Sequence, residues 1–375
     1  MGMEELNLQL FIFRNFSTFE NLLTTQHEKV KILNIGELNY DAGPDFINAQ
    51  VLINDVLWFG NIEIHIKSSD WEKHSHSQNI LYDNVILHIV LEQDKQIFKK
   101  DHTPLPTLEI KKYLNTTTDI HVDKKFCDLS KVKEIFQMLI LHRLKRKNDF
   151  IISLLKDLHG DWETTTFHLL MYNFGFKINN DQMLKLASSL DFKVIQKNKD
   201  DEKSLLALLA GQGDLLQFFD KEITDRYNFL QQKYELKSSN IHWKYARTHP
   251  QNFPEVRIQQ VVKLIYGKNS LLEWLLDFEG NEELSEQTLN HIKINMTIPL
   301  QFAYNHYYCR SNKYVVERLK ETQAESNKIV REWEKIGVRV CNGYESQALI
   351  ELTNNMCKKN KCLICPLFKD TNEIR

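Results

Sequence analysis

Residues 39–91 decide the fold, and they read NYDAGPDFINAQVLINDVLWFGNIEIHIKSSDWEKHSHSQNILYDNVILHIVL. Residues 49–53 are apolar apart from one glutamine, and a second strand-like run covers residues 56–66. The two residues between them, Asn54-Asp55, suit a tight turn, so the two runs are predicted to be adjacent antiparallel strands. A polar segment then leads to a third, almost wholly apolar strand over residues 85–91.

Side chains alternate along the second of these strands from residue 62 onward. Isoleucines occupy one face, and the other face carries a carboxylate, an imidazole and an ammonium group, namely Glu63, His65 and Lys67. Because successive residues of a strand point to opposite faces, the apolar face is expected to hold the strand against a core. The polar face is then either an ordinary half-solvated face or a functional site.

A second carboxylate, Asp45, stands just before the first hairpin strand. An Asp there and Glu63 in the middle of the next strand are placed to share a divalent cation. Mg²⁺ and similar hard cations prefer carboxylate oxygens, so the expected ion is Mg²⁺ or Mn²⁺. His65 or Lys67 would orient or deprotonate a water there. The alternative is that Gly43-Pro44-Asp45 is only a turn.

At these residues the chain resembles the PD-(D/E)xK nuclease superfamily. Pro44-Asp45 matches the PD, and Glu63-Ile64-His65 stands where (D/E)xK is expected, with His in place of Lys. The change from Lys to His affects the step in which the metal-bound water is activated. Lys67, two residues further along the same strand face, would supply the missing ammonium group. The resemblance covers roughly residues 4–92. A helix near residues 4–16, a strand at 30–35, a hairpin, a polar crossover and a strand is the order that such a core shows.

The polar crossover adds a tryptophan and two histidines to this resemblance. Trp71 followed by His74 and His76 is similar to the very short patch repair endonucleases of the same superfamily. The resemblance implies that His74 and His76 protonate the leaving group or assist the metal. It also implies a restriction-endonuclease-like core and nucleic acid as the partner.

Over nearly its whole length the chain also resembles the bacterial family known as domain of unknown function 2851. The residues that carry this resemblance are GPDF, the EIH strand, the Ser69-Asp70-Trp71 segment, NVILHIV and the cysteine-rich tail. This second resemblance implies no activity. Function therefore has to be argued from the residues.

Helical patterns dominate after residue 130, and they predict an α+β protein in two parts. We expect a nuclease-like α/β domain over residues 1–123 with a mixed sheet, and a mostly helical domain over residues 124–375. The boundary is placed near Asp123. Within the helical part, the run Arg143, Lys145, Arg146 and Lys147 is either a solvated helix face or a patch that contacts nucleic acid phosphates.

Composition narrows the function classes. The formal net charge is -2, so any nucleic acid binding requires a local basic patch. No apolar run is long enough for a membrane-spanning helix and no secretory signal is visible, so no membrane partner and a cytoplasmic location are expected. The sequence does not determine the oligomeric state.

The tail contains a cysteine cluster with metal-ligand spacing. Cys357, Cys362 and Cys365 follow the pattern C-x4-C-x2-C, and Cys341 is the best candidate for a fourth ligand. Four thiolates suit Zn²⁺ or a [4Fe-4S] cluster. The alternative is that these residues are ordinary free thiols.

Three functions fit these observations. The first is a metal-dependent nuclease. The second is a non-catalytic nucleic-acid-binding protein on a degenerate nuclease core, which the His in place of Lys favours. The third is a small-molecule or sugar-processing protein that uses the polar strand face as its ligand site.

Overall fold

The computed structural model describes residues 5–39, 41–113, 128–246, 248–280, 284–359 and 365–367. The chain divides into two compact units. The first combines Met1–Arg143 with Asn305–Arg375, and the second is Leu144–Tyr304. The change in sequence pattern predicts a boundary between a sheet domain and a helical domain near Asp123. That residue lies outside the described part of the chain. The compact units divide the chain differently, because the last helices belong with the sheet.

The first unit contains a mixed sheet. Its strands are β1 (Leu22–Leu23), β2 (Lys29–Asn34), β3 (Glu37–Leu38), β4 (Phe46–Ile53), β5 (Val56–Lys67), β6 (Val85–Glu92) and β7 (Thr107–Glu109). The main path runs β1-β2-β4-β5-β6-β7, and β3 pairs with β4. The pairs up to β4–β5 are antiparallel, whereas β5–β6 and β6–β7 are parallel.

Helices account for most of the remaining described structure, so the chain is α+β. They are α1 (Glu5–Asn15), α2 (Asp70–Lys73), α3 (Phe136–Asp157), α4 (Trp162–Phe174), α5 (Asn180–Ser188), α6 (Phe192–Lys197), α7 (Glu202–Gln212), α8 (Lys221–Tyr234), α9 (Pro254–Ile265), α10 (Leu271–Leu276), α11 (Glu286–Ile292), α12 (Ile298–Tyr307), α13 (Lys313–Glu321), α14 (Lys328–Lys335) and α15 (Gly343–Asn355). A π-helical turn, Lys293–Thr297, joins α11 to α12.

The predicted hairpin is confirmed. Strands β4 and β5 pair antiparallel, with Ile53 opposite Val56 across the two-residue turn. Both turn residues, Asn54 and Asp55, have positive φ angles of 48° and 65°. Those angles match a type I′ turn, whose twist suits two flanking strands. The Asn54 side chain also accepts a hydrogen bond from the backbone amide of Lys29 at 3.0 Å.

We expect Asp55→Gly to raise the free energy of unfolding of the first unit by up to about 1 kcal/mol. The left-handed conformation costs a non-glycine residue about 1 kcal/mol, and the greater freedom of glycine in the unfolded chain offsets part of that gain. Urea denaturation measures the change. Asp55→Ala is the control and should not stabilise. A glycine variant less stable than the parent chain would contradict the type I′ assignment.

A β-bulge sets the position of the residue that precedes β4. The register between β4 and β5 shifts between Phe46 and Ala49, and Asn48 has a φ of 60°. At the same place β4 comes so close to Gly36 that a Cβ there would lie 2.2 Å from the carbonyl oxygen of Ile47. Bulges of this kind re-aim neighbouring side chains.

The crossover between β5 and β6 covers the polar face of β5. Ile62 and Ile64 are fully buried, as the alternation predicted. Glu63 and His65 are buried too, at 5% and 1% exposure, so their face is not half-solvated. Trp71 in α2 is also buried, and its ring packs against His76 at 5.2 Å between centroids.

The far end of the same hairpin is open to solvent. Four consecutive apolar side chains at the start of β5 are exposed, namely Val56, Leu57, Trp58 and Phe59. Strand β6 begins beside Asn61 and so does not reach them. The two ends of β5 therefore lie in different environments.

The second unit is helical and has its own apolar core. Side chains from α4, α7 and α9 contribute much of it, including Phe167, Leu208 and Ile258, all fully buried. Within the part of the chain that the structure describes, none of the helices is both long and apolar enough to span a membrane.

Candidate active site

Two carboxylates predicted to act together each accept a hydrogen bond from a backbone amide of the neighbouring segment. The backbone amide of Asp45 donates to Glu63 Oε2 at 2.9 Å, and the backbone amide of Ile64 donates to Asp45 Oδ2 at 3.1 Å. Asp45 and Glu63 are 4% and 5% exposed. Each carboxylate therefore has one oxygen committed to the backbone of the neighbouring strand, which fixes its orientation.

The second oxygen of Glu63 faces imidazoles. Glu63 Oε1 lies 3.3 Å from His65 Nε2 and 3.3 Å from His76 Nε2. His74 Nδ1 lies 3.2 Å from His65 Nε2. One ring nitrogen from each of His65, His74 and His76 falls within 4.8 Å of the other two, which is close enough to share a metal ion. The structure thus places residues from β5 and from the crossover in one group, which we call the Glu–His cluster (Glu63, His65, His74 and His76).

Behind this cluster is a fourth histidine, which the sequence reasoning did not assign to the site. His88 on β6 is fully buried, and its Nε2 lies 3.0 Å from His65 Nδ1. Burial, with smaller contributions from His65 and His76, holds the pKa of His88 well below its usual range. The one signal in the sequence that could have identified His88 is its place as the polar residue in an otherwise apolar strand, residues 85–91.

Tyr82 closes the cluster from the crossover side. Its ring stacks on His76 with centroids 3.7 Å apart, and its hydroxyl donates to the carbonyl of Gly43 at 3.1 Å. Burial raises the pKa of Tyr82, and the nearby carboxylates of Glu63, Asp45 and Glu5 raise it further. The phenol therefore stays protonated at neutral pH and holds the loop before Asp45.

The start of the crossover is anchored by Asp94. The hydroxyls of Ser68 and Ser69 donate to its carboxylate at 3.0 and 2.7 Å, and the Ser69 amide donates at 2.9 Å. Burial alone would raise its pKa, but these hydrogen bonds lower the pKa of Asp94 to about 2. The chain is thus fixed where it leaves β5, just before the turn that carries His74 and His76.

Lys67 is placed differently from the other predicted site residues. It is exposed at the end of β5, and its backbone amide donates to Asp70 at 3.0 Å. Among the contacts of the described residues, none joins its ammonium group to the Glu–His cluster. His65 therefore occupies the position next to Glu63, and the lysine stands at the solvent-facing end of the strand.

The basic run on α3 is not uniformly turned to solvent. Arg143 is buried at 3% exposure, Lys145 and Lys147 are half-buried, and Arg146 is exposed. Neighbouring His142 pairs with Glu351 of α15 at 2.9 Å. The run as a whole is therefore not an open surface patch, and its role in nucleic acid binding stays a prediction.

The cysteine cluster also stays a prediction, because Cys362 lies outside the described residues. Cys341 is exposed, and Cys357 and Cys365 are half-buried. Cys341 lies just before α15, and Cys357 follows that helix closely.

A surface next to the loop of Asp45 went unrecognised in the sequence. The backbone amide of Asn312 donates to Asp41 Oδ1 at 2.8 Å, so the segment before α13 adjoins that loop. Residues 307–314, from the end of α12 to the start of α13, include five exposed aromatic or basic side chains that we call the tyrosine strip: Tyr307, Tyr308, Arg310, Lys313 and Tyr314. The guanidinium of Arg310 lies 5.6 Å from the ring centre of Tyr308. The signal that could have identified the strip is the alternation of aromatic and basic residues.

Comparison with known proteins gives a family. A family model described as "Protein of unknown function (DUF2851)" matches residues 5–284. That span includes the whole sheet and the Glu–His cluster. The chain matches no curated protein and no solved structure.

Proposed function

We propose that this chain, which belongs to the DUF2851 family, is a metal-dependent hydrolase of nucleic acid phosphodiesters. The family description gives no activity, so the proposal rests on the chain's own residues. The observation that carries the proposal is the buried contact of Glu63 with Asp45 on one side and with His65 and His76 on the other. Titratable groups held together in a water-poor site are typical of catalytic centres.

The order of elements also supports it. Helix α1, strand β2, the β4–β5 hairpin, the polar crossover and the parallel strand β6 follow one another as the nuclease superfamily core would have them. The Pro44-Asp45 motif lies just before the first hairpin strand, β4. The Glu63-Ile64-His65 motif lies within the second, β5. Motif and element order therefore agree on one site.

Hydrolysis adds a water across the phosphodiester, with the hydroxyl going to phosphorus and a proton to the leaving oxygen. A bound divalent metal would supply a more acidic water and neutralise charge on the phosphate. Buried Asp45 and Glu63 hold the centre in place. His74 is the exposed member of the Glu–His cluster, so the phosphate would enter beside it. Lys67, at the solvent-facing end of β5, would neutralise part of the phosphate charge.

The tyrosine strip supports nucleic acid, and single strands in particular, as the substrate. Tyr307, Tyr308 and Tyr314 are 51%, 46% and 69% exposed. Bases of single-stranded nucleic acid stack on such rings, and cations beside them contact the backbone phosphates. The strip adjoins the loop that leads to Asp45, so a strand bound along it would pass close to the candidate site.

The test is a cleavage assay of the full chain on labelled single-stranded DNA, double-stranded DNA and RNA, with Mg²⁺, Mn²⁺ or Zn²⁺ supplied separately. We expect cleavage of single strands. Tyr314→Ala should weaken binding about fivefold or more, because one base–aromatic stack contributes about 1–3 kcal/mol. Phe229→Ala, which removes another exposed aromatic ring from the second unit, is the matched control.

The assay also separates the alternative functions. Single strands that bind but are never cleaved would leave a non-catalytic nucleic-acid-binding protein on a degenerate nuclease core. Neither binding nor cleavage would favour the small-molecule or sugar-processing function. Protein with Glu63→Gln, purified in parallel, controls for contaminating nucleases.

A further inference from the structure

We propose that the Glu–His cluster binds one divalent transition-metal ion of the zinc class, through one ring nitrogen from each of His65, His74 and His76, with Glu63 Oε1 beside His65 and His76. This differs from the Mg²⁺ or Mn²⁺ ion, shared by Asp45 and Glu63, that the nuclease resemblance implies. The metal site does not depend on the proposed function, because it is tested by metal binding alone.

The spacing of three histidine nitrogens allows them to share one ion. With zinc–ligand distances of about 2.0–2.1 Å, neighbouring ligands of a regular tetrahedron lie about 3.3–3.4 Å apart. Glu63 Oε1 lies 3.3 Å from His65 Nε2 and 3.3 Å from His76 Nε2. His74 Nδ1 lies 3.2 Å from His65 Nε2. The His65–His74 nitrogen pair thus has nearly the spacing of two zinc ligands, and Glu63 Oε1 lies beside two of the three histidines.

The chemistry of the donors selects the class of ion. Imidazole nitrogen suits zinc and its neighbours in the first transition series, whereas Mg²⁺ requires six oxygens in near-octahedral geometry. Glu63 Oε2 and Asp45 Oδ2 each accept a backbone hydrogen bond, so the two carboxylates do not offer all their oxygens to a hard cation. Three imidazole nitrogens form a zinc-like set, which leaves a fourth position for water or substrate.

The surroundings of the cluster support its ring orientations. His65 shares a hydrogen bond between its Nδ1 and His88 Nε2, which leaves Nε2 directed at the cluster. Metal-binding histidines usually have such a partner on the other ring nitrogen. His76 is held by its stack on Tyr82 and by the edge of Trp71. His74 is exposed, so an ion has a path from solvent.

The experiment is metal titration of the full chain by calorimetry with Zn²⁺, and separately with Mg²⁺. His74→Ala is the test variant, because an exposed side chain can be removed without disturbing the core. His242→Ala makes the same change at an exposed histidine of the second unit and is the matched control. Because loss of a partner behind a ligand already weakens metal binding 10–100-fold, loss of a ligand should weaken Zn²⁺ binding at least about tenfold.

The cysteine-rich tail is a second potential zinc ligand set and has to be distinguished. Co²⁺ in place of Zn²⁺ does this, because thiolate ligands add a charge-transfer absorption that imidazole and carboxylate ligands do not. We expect Cys362→Ser to leave one cobalt site without that absorption, and His74→Ala to remove that site. The combination assigns the ion to the Glu–His cluster.

Two results would overturn the proposal. One is equal Zn²⁺ affinity of His74→Ala, His242→Ala and the parent chain. The other is cobalt spectra whose every band disappears with Cys362→Ser. Zinc binding that depends on His74 in a protein that cleaves no nucleic acid would instead contradict the proposed function and leave the metal site standing.

Discussion

Glu63→Gln should reduce both Zn²⁺ affinity and nucleic acid cleavage by about 10–100-fold. The glutamine has one oxygen, which can keep the hydrogen bond from the Asp45 amide. Its amide nitrogen then stands where Glu63 Oε1 faces His65 and His76, and it can neither accept a hydrogen bond from these rings nor neutralise the charge of a bound ion. Calorimetry and the cleavage assay measure the two losses.

The choice of glutamine keeps this test free of unfolding. Glu63→Ala would leave the buried Asp45 amide without its acceptor, which costs about 1–3 kcal/mol of stability. Glu37→Gln, at an exposed position of β3, is the matched control and should change neither quantity. If Glu63→Gln retains full cleavage and full metal affinity while Glu37→Gln behaves as the parent chain, the site lies elsewhere.

Trp71→Ala should lower the free energy of unfolding of the first unit by about 3–5 kcal/mol. The ring is 2% exposed and its Nε1 donates to Ser77 Oγ at 2.9 Å. It packs against His76, Tyr82 and His88 with centroids 5.2–5.7 Å apart. Urea denaturation followed by circular dichroism measures the loss, and zinc affinity should fall with it because His76 loses its support.

Trp58→Ala is the comparison for this prediction, since Trp58 lies on strand β5 of the same unit but is 47% exposed. Its removal should change stability by no more than about 0.5 kcal/mol. Equal losses for the two tryptophans would mean that the crossover is not anchored through Trp71.

Much of the sheet could be predicted from sequence because its signals are local. Alternation from Ile62 and the short Asn54-Asp55 turn identified the β4–β5 pairing. The bulge at Asn48 could not be predicted, because it depends on the close approach of β4 to Gly36. The membership of the last helices in the first unit depends on contacts distant in sequence, such as Lys133 with Glu345 at 2.9 Å.

The sequence predicted which residues form the candidate site better than it predicted how they are arranged. Asp45, Glu63 and His65 were singled out by residue type and spacing, and the structure brings them together. The sequence alone could not show that Glu63 faces His76 while accepting a hydrogen bond from the Asp45 amide, because both contacts depend on the folded path of the chain. The contact between His88 and His65 could not be predicted either, because the sequence does not show the path of the crossover that separates them. For the same reason the tyrosine strip, far along the chain, gave no sign of adjoining Asp41.

The division of the first unit into two separated stretches has a consequence for synthesis on the ribosome. The sheet emerges early, but its unit also needs residues after Asn305, and Leu144–Tyr304 must be made in between. At 5–20 residues per second, those roughly 160 residues take about 8–30 s. During that delay the nascent sheet lacks α13, α14 and α15. Slowing translation within α4–α9 should therefore lengthen the delay and increase aggregation of the nascent chain.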